Sequence, residues 1–214
     1  VSHELKTPLT SISGFAELMK EGDVAAENVT DFSVSIYDEA QRLITLVNDI
    51  IKLSELDGQS ISFESESVDL YELSKEVISR LKNEADKRNI VLNLIGDKAE
   101  IMGVRRILDE MLYNLCDNAV KYNKDGGMVD IIVSQTKDSV NVIVRDTGIG
   151  IPAAHQSRVF ERFYRVDKSH SKKVGGTGLG LAIVKHSAMY HHARIHMESV
   201  VDQETTVALA FPRM

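Results

Sequence analysis

"VSHELKTPLTSISGFAELMK" (residues 1–20) places apolar residues at Leu5, Leu9, Ile12, Ala16 and Met19. Steps of four and three put them on one stripe of an α-helix. At about 100° per residue, His3 falls roughly opposite that stripe, with Thr7 and Thr10 on its own side. The segment therefore predicts a helix that buries one face and presents a histidine on the other. Pro8 lies inside it. A proline in a helix interior removes a backbone hydrogen bond and costs about 3 kcal/mol. The helix is expected to bend close to His3.

After the break "KEGDVAAEN" (20–28), Val29, Phe32, Ile36, Ala40, Leu43, Val47 and Ile50 repeat at threes and fours. This is a second, longer helix with a coiled-coil-like seam. Two antiparallel helices form a hairpin, and a hairpin alone buries too little. Pairing two hairpins into a four-helix bundle solves this, so a homodimer is expected. "SELDGQS" (54–60) reads as a linker, dividing the chain into residues 1–57 and 58–214.

Beyond the linker the pattern changes to α/β. "SISFESES" (60–67) alternates like a strand. Asp69 is a good N-cap for a helix with Leu70, Leu73, Val77 and Leu81 at helical spacing. Strand-like "IVLNLIG" (90–96) and the periodic helix "VRRILDEMLYNLCDNAVKY" (104–122) follow. "MVDIIVSQTKDSVNVIVRD" (128–146) reads as two strands turning at residues 137–139. Helices are expected at "AAHQSRVFERFY" (153–164) and "LGLAIVKHSAMYHH" (179–192), then strands at "ARIHMES" (193–199) and "TTVALAF" (205–211). The fold class is α+β: a helical hairpin followed by an α/β sandwich with a mixed sheet.

Composition narrows the function. Of 214 residues, 43 % are apolar and 27 % charged, as in an ordinary globular chain. The single cysteine, Cys116, excludes a disulfide framework and reads as a buried small hydrophobe. A net charge of -7 argues against nucleic-acid binding. No run of about 20 apolar residues exists to span a bilayer.

Three stretches of the second part carry chemistry. "NLCDNAVKYN" (114–123) sets Asn114, Asn118 and Lys121 on one face of an otherwise apolar helix. Neutral amide oxygens suit Mg²⁺ that is shared with phosphate, and Lys121 adds a point charge. "RDTGIGIP" (145–152) ends a strand at Asp146, whose carboxylate can accept from an exocyclic amine, while Gly148 and Gly150 allow close backbone approach. "VGGTGLGL" (174–181) is a glycine-rich loop opening a helix, a place where backbone N–H groups meet phosphate. It is neither a Walker A loop nor a Rossmann fingerprint. "MYHHARIH" (189–196) lacks the carboxylate or thiolate partners of a metal site, and "HELKT" is not H-E-x-x-H.

Taken in order, these stretches resemble the catalytic core of a two-component sensor histidine kinase. "SHELKTPLT" (2–10) resembles its H box, "NLCDNAVKY" (114–122) its N box and "DTGIGI" (146–151) its G1 box. "FERFYRVD" (160–167) and "GGTGLGLAIVKH" (175–186) resemble its F and G2 boxes. The resemblance implies that His3 attacks the γ-phosphate of ATP, with Glu4 as base or orienter. It implies that Thr7 helps place a water for dephosphorylating the partner. It gives Asn118 and Asn114 to Mg²⁺, Lys121 and Arg165 to phosphate, and Tyr122 to the flank of the adenine. Asp146, Gly148 and Gly150 form the adenine pocket. Gly176, Thr177, Gly178, Leu179 and Gly180 hold the phosphates, beneath a mobile lid at about 164–176 anchored by Phe160 and Phe163. The implied partner is a response-regulator receiver domain, and the implied setting is the cytoplasmic portion of a membrane-anchored bacterial protein. The tail "VVDQETTVAL" (200–209) lacks the glycines common in that family's turn. A chaperone- or topoisomerase-like ATPase of the same fold and a non-catalytic dimeric scaffold are the alternative readings.

Overall fold

The computed structural model describes residues 2–57, 63–166 and 176–213. Helices α1 (Ser2–Glu21) and α2 (Val29–Asp57) form an antiparallel hairpin. Its turn holds a short 3-10 segment, Ala26–Asn28, and an edge-to-face contact between Phe15 and Phe32 at 5.3 Å. The apolar stripe is turned by about one residue from the expected one. Pro8 is buried, whereas Leu9 is 52 % exposed. The face toward α2 runs through Leu5, Pro8, Ile12, Phe15 and Met19. A proline ring is apolar and suits a buried position, although its missing N–H leaves the Glu4 carbonyl without an intrahelical donor. The helix continues through Pro8 without a break. On α2 the expected seam residues Phe32, Ile36, Ala40, Leu43 and Ile50 are half-buried and Val29 and Val47 are exposed, while the buried Leu46 and Leu53 pack against residues 179–183. The helix also takes in "SELD", the first part of the expected linker.

The remaining elements are β1 (Glu66–Asp69), α3 (Leu70–Lys87), β2 (Val91–Gly96), β3 (Glu100–Gly103) and α4 (Arg105–Lys121). After them come β4 (Met128–Gln135), β5 (Ser139–Asp146), α5 (Ala153–Gln156), α6 (Gly180–Tyr190), β6 (Arg194–Val200) and β7 (Glu204–Pro212). Five strands make one mixed sheet in the order β2-β4-β5-β7-β6, with β2 parallel to β4 and every other pair antiparallel. β1 and β3 form a separate two-stranded ribbon.

Local structure departs from the sequence pattern at two expected elements and adds to it elsewhere. The strand expected over 60–67 begins only at Glu66, and residues 60–62 lie outside the described ones. β3 was not legible in the sequence at all. The helix expected over 153–164 stops at Gln156 and continues as turns. The tail makes a regular β6–β7 hairpin without glycine, because Asp202 takes φ +59° at its turn; aspartate tolerates that conformation better than most residues.

Asp69 does cap α3, accepting from the Tyr71 N–H at 2.9 Å. Helices α3, α4 and α6 pack on the sheet around one core that includes Leu73, Leu112, Ile131, Val142 and Phe211. The half-buried His191 ring ties the layers together, its Nε2 accepting from the Val104 N–H at 3.1 Å. Among the described residues no helix is long and apolar enough to cross a membrane.

Candidate functional site

Helix α4 turns an apolar face to the sheet through Leu108, Met111, Leu112, Leu115 and Ala119. That burial fixes its rotation. Asn114, Asn118 and Lys121 then line a cleft of about 610 Å³ between α4, the sheet and the start of α6. Asn114 donates from Nδ2 to the Glu110 carbonyl at 2.8 Å, which leaves its Oδ1 to accept. Lys121 rests on Asp117 at 2.6 Å, an i,i+4 pair it must leave to reach a ligand.

Asp146 closes one end of the cleft. Strand alternation puts it on the same side as Val140, Val142 and Val144, so its carboxylate lies beneath the helical layer. Burial lifts its pKa to about 6. The Gly148 N–H, donating to Oδ1 at 2.9 Å, works against that rise, and the Glu204 carboxylate adds to it. Val144, Ile149, Val159 and Val207 make this end apolar. The Tyr122 backbone runs close behind: a Cβ on Gly148 would sit 2.4 Å from the Tyr122 carbonyl. Gly148 thus shapes the wall rather than lining the cleft, while Gly150 lines it.

The other end is built by the N-terminus of α6, where unsatisfied N–H groups and the helix dipole favour an anion. Gly176, Thr177, Gly178 and Gly180 line it together with Arg165. Gly178 takes φ +74° and accepts from the Phe163 N–H at 2.9 Å, so the F-box segment and the glycine loop are held as one piece. Arg165 donates to the Gly176 carbonyl. Leu179 is wholly buried and contributes packing rather than a cleft surface. Tyr122 lies on the rim, its hydroxyl 3.4 Å from where a Cβ on Gly176 would be. Of the expected lid, residues 167–175 lie outside the described ones.

Around a Cβ built on Gly180, Asn114 Oδ1 would lie at 2.8 Å and the Asn118 amide at 3.7 Å. Two amide groups therefore converge on the helix N-terminus. The nearby carboxylates of Glu110 and Asp117 are taken by Lys52 and Lys121. A neutral donor set fits Mg²⁺ only when phosphate oxygens supply the charge.

His3, Glu4 and Thr7 stand on α1, outside the cleft. His3 is exposed, as its position opposite the apolar stripe requires. The Thr7 hydroxyl donates back to the His3 carbonyl at 3.1 Å, which uses it within its own helix.

One whole wall of the cleft has no local signal in the sequence. Thr45, Asp49 and Lys52 of α2 line the cleft from the hairpin side. Leu179, just before α6, and Ala182 and Ile183 of α6 pack with Leu46 and Leu53 of α2, and Leu5 and Phe163 close over them. Ion pairs flank this cluster: Lys52–Glu110 at 2.7 Å, Glu55–Arg106 at 2.9 Å, and Asp57–Arg162 at 2.5 Å, with His186 Nδ1 2.8 Å from the same Asp57 carboxylate. Arg88 was equally hidden. Its guanidinium donates to the Val120, Lys121 and Asn123 carbonyls and so closes the C-terminus of α4. Asn123 adjoins the N-box stretch and could have been noticed; its buried amide joins Met128 and Thr147 below Asp146.

Residues 103–214 match the family model of histidine kinase-, DNA gyrase B- and HSP90-like ATPases, and residues 1–59 match the His Kinase A phospho-acceptor domain. The sensor histidine kinase WalK of Bacillus subtilis strain 168 is 33 % identical over 216 residues, covering 99 % of this chain and 35 % of WalK. The chain thus spans about a third of that relative's length. Among solved structures, the Acinetobacter baumannii histidine kinase AdeS superposes with a TM-score of 0.81 at 22 % identity, over 98 % of this chain and 97 % of that one. Histidine kinase ThkA, solved in complex with the response regulator protein TrrA, gives 0.75 at 22 % identity over 100 % of this chain and 60 % of that one. A phospho-acceptor hairpin joined to this nucleotide-type cleft, with both family models matched in order, makes the chain a member of the two-component sensor histidine kinases.

Proposed function

We propose that this chain binds Mg-ATP in the cleft, phosphorylates itself on His3, and passes the phosphoryl group to an aspartate of a response-regulator receiver domain. The observation that carries this is the two-ended cleft: one buried carboxylate, Asp146, at an apolar end, and a glycine-rich helix N-terminus with Asn118 and Lys121 at the other. The apolar end suits adenine, whose amino group donates to Asp146. The other end suits a polyphosphate held by backbone N–H groups, Arg165 and Lys121. Asn118 and Asn114 would hold Mg²⁺, which would offset the charge of the phosphates.

In the transfer, one ring nitrogen of neutral His3 forms the bond to phosphorus as the bond to the ADP oxygen breaks. The proton on the other ring nitrogen passes to a base, and Glu4, its chain neighbour, takes that role. In the described arrangement α2, not α1, walls the phosphate end. The sheet unit therefore shifts along the hairpin before transfer.

The same reading includes a division at residue 57, a homodimer and a regulator phosphatase activity in which Thr7 releases the His3 carbonyl to orient a water. It also includes attachment to a membrane through the parent protein. Exposed Tyr37, Ile44, Val47 and Ile51 give α2 an apolar face for a second copy. Incubation with Mg²⁺ and γ-labelled ATP should leave acid-labile, base-stable label on the protein, and His3→Gln should carry none. Equal release of free phosphate by both proteins, with no labelled chain, would overturn the reading in favour of a plain ATPase.

A further inference from the structure

The wall that α2 gives to the cleft contains a carboxylate where a polyanion is to bind. Asp49 is half-buried, and its Oδ2 accepts from the Thr177 hydroxyl at 2.7 Å. That hydroxyl in turn accepts from the Leu179 N–H at 3.3 Å. One contact thus ties the hairpin to the phosphate loop and occupies a backbone donor at the start of α6. The other carboxylates on this side have cations: Glu110 is paired by Lys52 and Asp117 by Lys121. Asp49's partner is a neutral hydroxyl, so its charge is not offset by contact. Burial moves its pKa up from the ordinary value, with the Thr177 bond and Lys52 opposing.

We propose that Asp49 is a specificity-determining residue of the nucleotide site, contributed by the dimerisation helix, which disfavours the terminal phosphate of a triphosphate while the hairpin is docked. The inference rests on the reading of the cleft as an ATP site. A carboxylate facing a polyphosphate across a low-dielectric cleft repels it in proportion to ligand charge. The docked arrangement therefore holds diphosphate better than triphosphate, relative to a hairpin without that charge. Loading of the triphosphate and withdrawal of α2 from the loop favour each other.

The test is titration calorimetry on the whole chain with Mg-AMPPNP, Mg-ADP and adenosine. Asp49→Asn keeps an oxygen for Thr177 and removes only the charge. It should tighten Mg-AMPPNP about three- to tenfold, tighten Mg-ADP less and leave adenosine unchanged, and the gain should shrink in high salt. Asp57→Asn, at the far end of the same interface, should leave the ratio of AMPPNP to ADP affinity as it is. An unchanged or weakened affinity for Mg-AMPPNP in Asp49→Asn would overturn the proposal. So would an equal shift for all three ligands, or the same ratio change in Asp57→Asn, because either would trace the effect to docking rather than charge. If the unaltered chain bound none of the three, the ATP reading itself would fail, and this inference with it.

Discussion

The hairpin and the sheet unit solve the burial problem in opposite ways. The sheet unit closes its own core: Leu73, Met111, Leu112, Ile131, Val142, Leu209 and Phe211 are buried entirely by its own layers. The hairpin does not. On α2 the buried residues are Leu46 and Leu53, and both are covered by α6 of the other unit. Leu9, Val34, Tyr37, Ile44 and Ile51 remain exposed. One region is self-sufficient, and the other is completed by what docks on it. A self-sufficient unit can hold a ligand site in fixed geometry. A unit completed from outside can exchange partners, as the proposed phosphoryl transfer requires.

The sharpest break of this contrast is in stability. Phe211→Ala removes a ring from the closed core and should cost about 3–5 kcal/mol in urea unfolding. Ile44→Asp, on the open face, should leave the sheet unit's unfolding within about 0.5 kcal/mol and instead shift the proposed dimer to monomer in sedimentation. Equal unfolding costs for the two variants would show that the hairpin is no less self-contained than the sheet.

The next effect lies inside the sheet unit. Asp146→Asn replaces a two-acceptor carboxylate with one oxygen and an amide donor, while the Gly148 N–H still needs an acceptor. Nucleotide affinity should fall by about 2 kcal/mol, or about 30-fold. The pH dependence separates binding from folding. With the folded pKa raised from 3.8 to about 6, the ionised acceptor is lost as pH falls through 6, so affinity should drop there. Apo stability should move the other way. It is greatest below 3.8, where the carboxyl is protonated in both states, and this contribution is lost as pH rises toward 6. Asp146→Asn should flatten both profiles, and identical profiles in variant and parent would remove Asp146 from the account.

The smallest effect is at the seam between the regions. Arg162→Ala breaks an ion pair whose side chains are 45 % and 39 % exposed, so the cost should stay within about 1 kcal/mol by thermal unfolding. A larger loss would mean that the interface is an integral part of the fold.

Much of the cleft was legible because its residues signal locally. Asn114, Asn118 and Lys121 announce themselves by spacing on an apolar helix, and Asp146 by ending an alternating strand before glycines. The helices were legible from periodicity, but their rotation was not. α1 has apolar residues at both Pro8 and Leu9, and only the position of α2 decides which is buried. β3 was missed because "EIMG" is four residues long, too short for a period to stand out. Asp49 and Arg88 were invisible for another reason: each acts on residues far along the chain, Thr177 and Val120 to Asn123. No local pattern encodes such a contact.

Helix α2 is at once the spine of the hairpin and a wall of the cleft. A side chain at its surface lies about 5–6 Å from the helix axis. Turning the helix by about 20° carries such a group through about 2 Å of arc, comparable with the Asp49–Thr177 hydrogen bond of 2.7 Å. A modest torque on the hairpin is therefore geared, without any change of secondary structure, into a change in the mouth of the phosphate pocket.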